Sequence, residues 1–111
     1  MATLTVQTII QAGLEPAALA AAAAGGDQFA NTGREMVEIN NASVGDITVT
    51  FNSQAPCSQG FDHNEAVVVT AAERRLIGPF PTGRFNDASG FVLITYSGVT
   101  TLTIGVYKLP T

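Results

Sequence analysis

The chain has 111 residues, 46% hydrophobic and only 13% charged, with five Lys and Arg against nine Asp and Glu for a net charge of −4. That is one domain's length, able to take roughly 65% of the unfolded chain's surface out of water in a single modest core. Five scattered cations build no phosphate-tracking groove, so nucleic acid is excluded as a partner. The single cysteine, Cys57, excludes an internal disulfide, and the longest apolar run is too short and too alanine-rich to span a bilayer.

In chain order, the opening MATLTVQTII has no basic region and no long apolar core, so it does not read as a signal peptide. Within it, LTVQTI (residues 4–9) sets Leu4 and Val6 against Thr5 and Gln7, the alternation of a strand. EPAALAAAAAGG (residues 15–26) breaks that pattern. Pro16 stands where a helix starts and Gly25 where one stops, and alanine is the best helix former, yet about nine residues make a marginal isolated helix. A short helix and an extended arm both stand. AGGDQFANTGREMVEI (residues 24–39) is no phosphate loop, because an alanine tract precedes it, a strand follows it and its nearest charge is an acid. It reads as a bend: the glycines permit positive φ, and Asn31-Thr32-Gly33 turns the chain into the next strand.

From there strands dominate. REMVEIN (34–40) places Val37 and Ile39 opposite Met36 and Glu38, and DITVTFN (46–52) places Ile47, Val49 and Phe51 opposite Thr48, Thr50 and Asn52. EAVVVTA (65–71) centres on Val67 and Val69, and ERRLIGPF (73–80) carries Leu76 and Ile77. GFVLITYSG (90–98) is apolar on both faces, as a central strand covered on both sides would be. TLTIGVYKL (101–109) sets Leu102, Ile104 and Val106 against Thr103 and Tyr107. NNASVGD, NDASG and SGVTT supply turns, and Pro79 and Pro81 hold Phe80 in an extended edge or loop. These features predict an all-β domain over residues 1–111, an antiparallel β-sandwich or jelly-roll-like fold of about seven or eight strands. Residues 1–30 form its N-terminal strand and an alanine-rich arm or short helix.

Candidate chemistry is sparse. Cys57, Asp62 and His63 supply the residue types of an activated thiol, but neighbours in a polar loop are not a dyad, and no His, Cys or carboxylate shows ligand spacing. No catalytic, cofactor or metal residue is therefore assigned, and the roles of Cys57 and His63 stay open. Protein-contact candidates are better founded. Arg74 and Arg75 point to opposite faces of one strand, and arginine is favoured at interfaces, so they and Arg84 are contact candidates. Charging an edge strand for solubility explains them equally well. Of Phe80 and Phe85, one is expected to plug the core and the other to meet a partner.

Three segments carry a resemblance: LTVQTIIQAGLEPAALAAAAAGGDQFANTGREMVEINN, then DITVTF, then ERRLIGPFPTGRFNDASGFVLITYSGVTTLTIGVYKL. In them a strand leads into a small-residue tract, Gly-Gly-Asp, an aromatic and Asn-x-Gly, and later come Ile-Gly-Pro-Phe, Phe-Asn-Asp and strands around TYSG. The chain resembles small head-gene proteins of tailed bacteriophages, with residues 52–65 matching least. The resemblance implies a non-enzymatic virion protein, made in the host cytoplasm, that decorates or cements the outer capsid surface. Its partners would be the major capsid protein and further copies of itself, as a dimer or trimer. Leu4 and Val6 join the contact candidates, because an N-terminal strand can pair with a neighbour's sheet edge. The rival readings are a neck or tail component, a carbohydrate-binding sandwich using Tyr96 and Tyr107, and an enzyme built on Cys57 and His63.

Overall fold

The computed structural model describes residues 2–54 and 64–109. Among them are strands β1 (Ala2–Thr3), β2 (Val6–Thr8), β3 (Ala20–Ala21), β4 (Asp27–Ala30), β5 (Glu35–Asn41), β6 (Ile47–Phe51), β7 (Glu65–Val69), β8 (Arg74–Ile77), β9 (Phe91–Tyr96) and β10 (Leu102–Lys108), with one short helix, α1 (Thr82–Phe85), before β9. They form an all-β, sandwich-like fold of two five-stranded sheets. One sheet has the order β1-β4-β9-β6-β7; the other has β2-β10-β5-β8, with β3 also paired to β10.

All seven predicted runs contain a strand, but there are ten strands and the sheets are mixed rather than purely antiparallel. The difference lies at the N-terminal end. The strand expected over LTVQTI is shorter, Val6–Thr8, because the chain changes sheets at Leu4–Thr5. Before that point β1 runs parallel to β4 (Ala2↔Asp27), and after it β2 runs parallel to β10 (Val6↔Val106, Thr8↔Lys108). The alanine tract is not helical. Ala20 and Ala21 pair antiparallel with Ile104 and Thr103, giving their backbone a ladder that so short an alanine tract could not match with an isolated helix. DQFA, read from sequence as part of a bend, is β4, with Asp27 and Phe29 facing in.

The core lies between the sheets. Phe29, Val49, Phe51 and Ile94 come from one inner face; Val37, Ile39, Ile104 and Val106 come from the other, and all are at most 1% exposed. Register aligns them: Val37 faces Val106 and Ile39 faces Ile104. Each such side chain contributes about 1.5–3 kcal/mol by leaving water. β9 is central in its sheet, between β4 and β6, but it is not covered on both sides. Val92 and Ile94 are buried while Leu93 is half-buried and Thr95 exposed.

The Asn31–Glu35 bend is held by its own side chains. Asn31 Oδ1 accepts from Gly33 N (3.1 Å), and the buried Glu35 carboxylate accepts from Thr32 N (2.7 Å) and Arg34 N (3.0 Å). Gly33 has φ +94°, a conformation that glycine adopts without penalty. Asn31 and Asn86 exchange hydrogen bonds (2.7 and 2.9 Å), tying the end of β4 to the segment after α1.

Candidate functional site

The seven contact candidates fall in three places. Leu4 and Val6 lie on the crossing N-terminal segment, half-buried against the core. Arg74 and Arg75 lie on β8, at the opposite edge of that sheet from β2. Phe80, Arg84 and Phe85 cluster at α1. There the expectation that one phenylalanine faces a partner is corrected, because Phe80 and Phe85 are 2% and 3% exposed. The Phe80 ring centroid lies 4.6 Å from that of Phe51, 5.4 Å from Phe85 and 5.7 Å from Phe29, so the two rings together close one end of the sandwich. Arg84 stays exposed with its guanidinium 4.7 Å from the Phe85 ring centre.

On the outer face beside β8, the Arg74 guanidinium donates to Glu38 Oε2 while Tyr107 Oη donates to Glu38 Oε1 (3.1 Å). Register explains the meeting. Leu76, Glu38 and Gly105 form one cross-strand row, and Gly105 leaves room above it. A Cβ on Gly105 would stand 2.7 Å from Leu19 Cδ2 and 3.1 Å from Tyr107 Oη. Arg75 points the other way and reaches only Glu73 (3.7 Å). Both arginines therefore have acidic partners within the chain, and Arg74 is the outward cation of an internal network rather than a bare charge. Leu76, between them and Ile77, is 69% exposed.

The other sheet has a different outer face. Cross-strand rows Thr3–Gln28–Leu93, Thr95–Thr50–Ala66 and Thr48–Val68 line it. These rows carry no charged residue; of the two acids on the five strands, Asp27 is buried and Glu65 lies exposed at the start of β7, level with the inward-facing Phe51. β7 ends that sheet, with no strand among the described residues on its free edge, and its Val68 is 50% exposed.

Sequence reasoning passed over Asp27 as a bend residue. Asp27 is fully buried, and its Oδ2 accepts from Tyr96 Oη (2.6 Å) and Ala23 N (3.2 Å). Burial, then the hydrogen bond to Asp27 and its charge, push the Tyr96 phenol well above its ordinary value of 10.0, so it stays a donor. The only available signal was the pairing of a lone acid with one of two tyrosines. Tyr96 and Tyr107 spend their hydroxyls on buried carboxylates, and Tyr107 is 9% exposed.

Cys57, Asp62 and His63 lie outside the described residues. Among the described residues no group of three or more His, Cys, Asp or Glu could hold a metal ion, and no helix is long and apolar enough to cross a membrane. No protein-family model matches the chain, and no curated protein or solved structure matches it.

Proposed function

We propose that the chain is a structural protein of a tailed-phage virion, a decoration or cement protein that binds the outer surface of the major capsid protein shell as a symmetric oligomer. The observation that carries this reading is the uncharged outer face of the β1-β4-β9-β6-β7 sheet, continuous with the free edge of β7. Depletion of charge with retention of threonine and aliphatic surface is what the centre of a protein interface requires, since no ion has to be desolvated there. The free edge adds unpaired backbone groups, to which a neighbour's strand can add.

Strand order supports the finer fold reading. β3 to β10 supply β3-β10-β5-β8 and β4-β9-β6-β7, the interleaved order of an eight-stranded jelly roll, with β1 and β2 as additions at one side. Jelly rolls serve as viral capsid and lectin domains. The mechanism is additive: each copy buries a modest neutral face across a seam, and many copies act together through multivalency, closed by symmetric self-association.

Two measurements test the reading. Quantitative mass spectrometry of purified virions is expected to give a copy number comparable to that of the coat protein. A few copies per particle would move the chain to the neck or tail, and none would discard a virion role. Binding to shells that lack the chain is expected to be lost on Val68→Lys or Thr50→Lys, which charge the face. It is expected to survive Val44→Lys, which lies in the β5–β6 turn and is fully exposed.

A further inference from the structure

β8 ends its sheet, and its outer edge carries no strand among the described residues. The register decides which backbone groups stand there. Asn41 N donates to Glu73 O (2.9 Å), so Asn41 and Glu73 form a hydrogen-bonded antiparallel pair. Such pairs recur at every second residue. Ile39–Arg75 and Val37–Ile77 are therefore hydrogen-bonded pairs too, and the N–H and C=O of Arg74 and Leu76 turn away from β5 to the open edge. Side chains alternate with the same period. Arg74 and Leu76 share the outer face with Glu38, while Glu73 and Arg75 stand side by side on the other face. Glu73 and Arg75 are each about half exposed and lie 3.7 Å apart, an ion pair that binds its own members weakly.

We propose that this edge pairs with the same edge of a second copy, antiparallel about a two-fold axis through Arg74, so that Glu73 of each copy lies opposite Arg75 of the other. Charge selects both the partner and the register. Centring the pair on Arg75 would set Arg75 opposite Arg75, and centring it on Leu76 would set Arg75 opposite Ile77; neither gives Glu73 an opposite charge. Centring on Arg74 sets two opposite-charge pairs directly across the seam, where such pairs favour association and like charges oppose it. Arg74 then meets its own copy on the outer face, but Glu38, a β5 residue, draws its guanidinium back from the edge. Leu76, the exposed apolar residue of the strand, falls opposite Ala72 in the same register. Charging an edge blocks pairing with strands in general. An acid and a base two residues apart leave one partner open, a second copy in this register. β8 belongs to the other sheet from β7, so the pairing stands apart from the shell contact proposed above. It rests on that reading only for its use, as the symmetric self-association of a decoration protein.

The test is sedimentation equilibrium of the full chain in low salt, without shells, so that its failure and a failure of shell binding are separate results. The parent is expected to pass from monomer to dimer with a Kd of about 0.1 mM, as suits a small interface. Arg75→Glu and Glu73→Arg each set like charges opposite one another twice, and each is expected to weaken pairing about tenfold or more. Both sites are half-exposed, so both variants are expected to keep the parent's unfolding midpoint. Mixed in equal amounts, the two variants are complementary, because one carries acids at both positions and the other arginines. The mixture is expected to recover the parent's dimerisation. A parent that stays monomeric up to ~1 mM overturns the proposal. A trimer overturns it too, because a two-fold seam closes at two copies. So does an Arg75→Glu protein that pairs as the parent does, and so does a mixture no more dimeric than its two components.

Discussion

Replacing Phe80 with alanine tests whether the segment after β8 is a structural plug. Phe80 is 2% exposed, and three other rings stand within 4.6 to 5.7 Å of it, one from each inner sheet strand β4 and β6 and one from α1. Truncation removes the buried ring and leaves a hole that these neighbours cannot collapse into, because Phe29 and Phe51 are fixed on strands. Buried Phe→Ala changes of this kind cost about 3–5 kcal/mol. A domain of this size has about 5–15 kcal/mol in all. At roughly 4 °C per kcal/mol, the midpoint of thermal unfolding should fall by about 12–20 °C. Urea denaturation with Leu76→Ala as the control measures it. Leu76 is 69% exposed, and its loss should stay within about 0.5 kcal/mol. A Phe80→Ala loss below about 1 kcal/mol would refute the plug and return Phe80 to the surface as a contact residue.

Asn41 is fully buried and its Nδ2 donates to Gly45 O (3.0 Å) and Val69 O (2.9 Å), so Asn41→Asp, with the same shape but no donor, should cost about 2–4 kcal/mol in urea denaturation, more than Asn40→Asp on the half-buried face. Tyr96 binds its proton more tightly folded than unfolded, so its contribution is complete below 10.0, the unfolded value, and declines as the pH rises above it. Unfolding midpoints between about pH 9 and 11.5 should fall, and Tyr96→Phe should flatten part of that slope. Gly78 has φ +135° and an added Cβ would stand 2.9 Å from Glu35 O, a backbone atom, so Gly78→Ala should cost about 2 kcal/mol or more. Gly105→Ala meets only the ends of Leu19 and Tyr107, which can move, and thermal unfolding should show the smaller loss of the two.

Alternation made the long strands legible. Val37 and Ile39, and Ile47, Val49 and Phe51, face in as their spacing demands. β4 was not legible because one of its two inward residues is Asp27, and a carboxylate turns inward only when Tyr96, 69 positions away, can donate to it. β3 was hidden for a related reason: alanine carries no face of its own, and only β10 makes the tract a strand. Arg74 and Arg75 were correctly divided between two faces, but their partners could not be read, since Glu38 is 36 positions from Arg74 and reaches it only through the β5–β8 register. Phe80 and Phe85 sit among prolines and glycines with no periodicity, so nothing local distinguished a plug from an anchor. The sheet face formed by these rows was visible only after five strands were placed side by side, because each contributes just one to three of its residues.

The parallel pairing of β2 with β10 has a mechanical consequence. Val6 lies level with Val106 and Thr8 with Lys108, so the chain enters one strand and leaves the other at opposite ends of the same short ladder. Tension applied between Thr5 and Leu109 drags the two strands lengthwise past each other and loads every hydrogen bond between them at once. An antiparallel closing pair would expose its bonds to the load singly, like the teeth of a zip. The joint is a lap joint, weak to peeling from the side and strong along the line of pull.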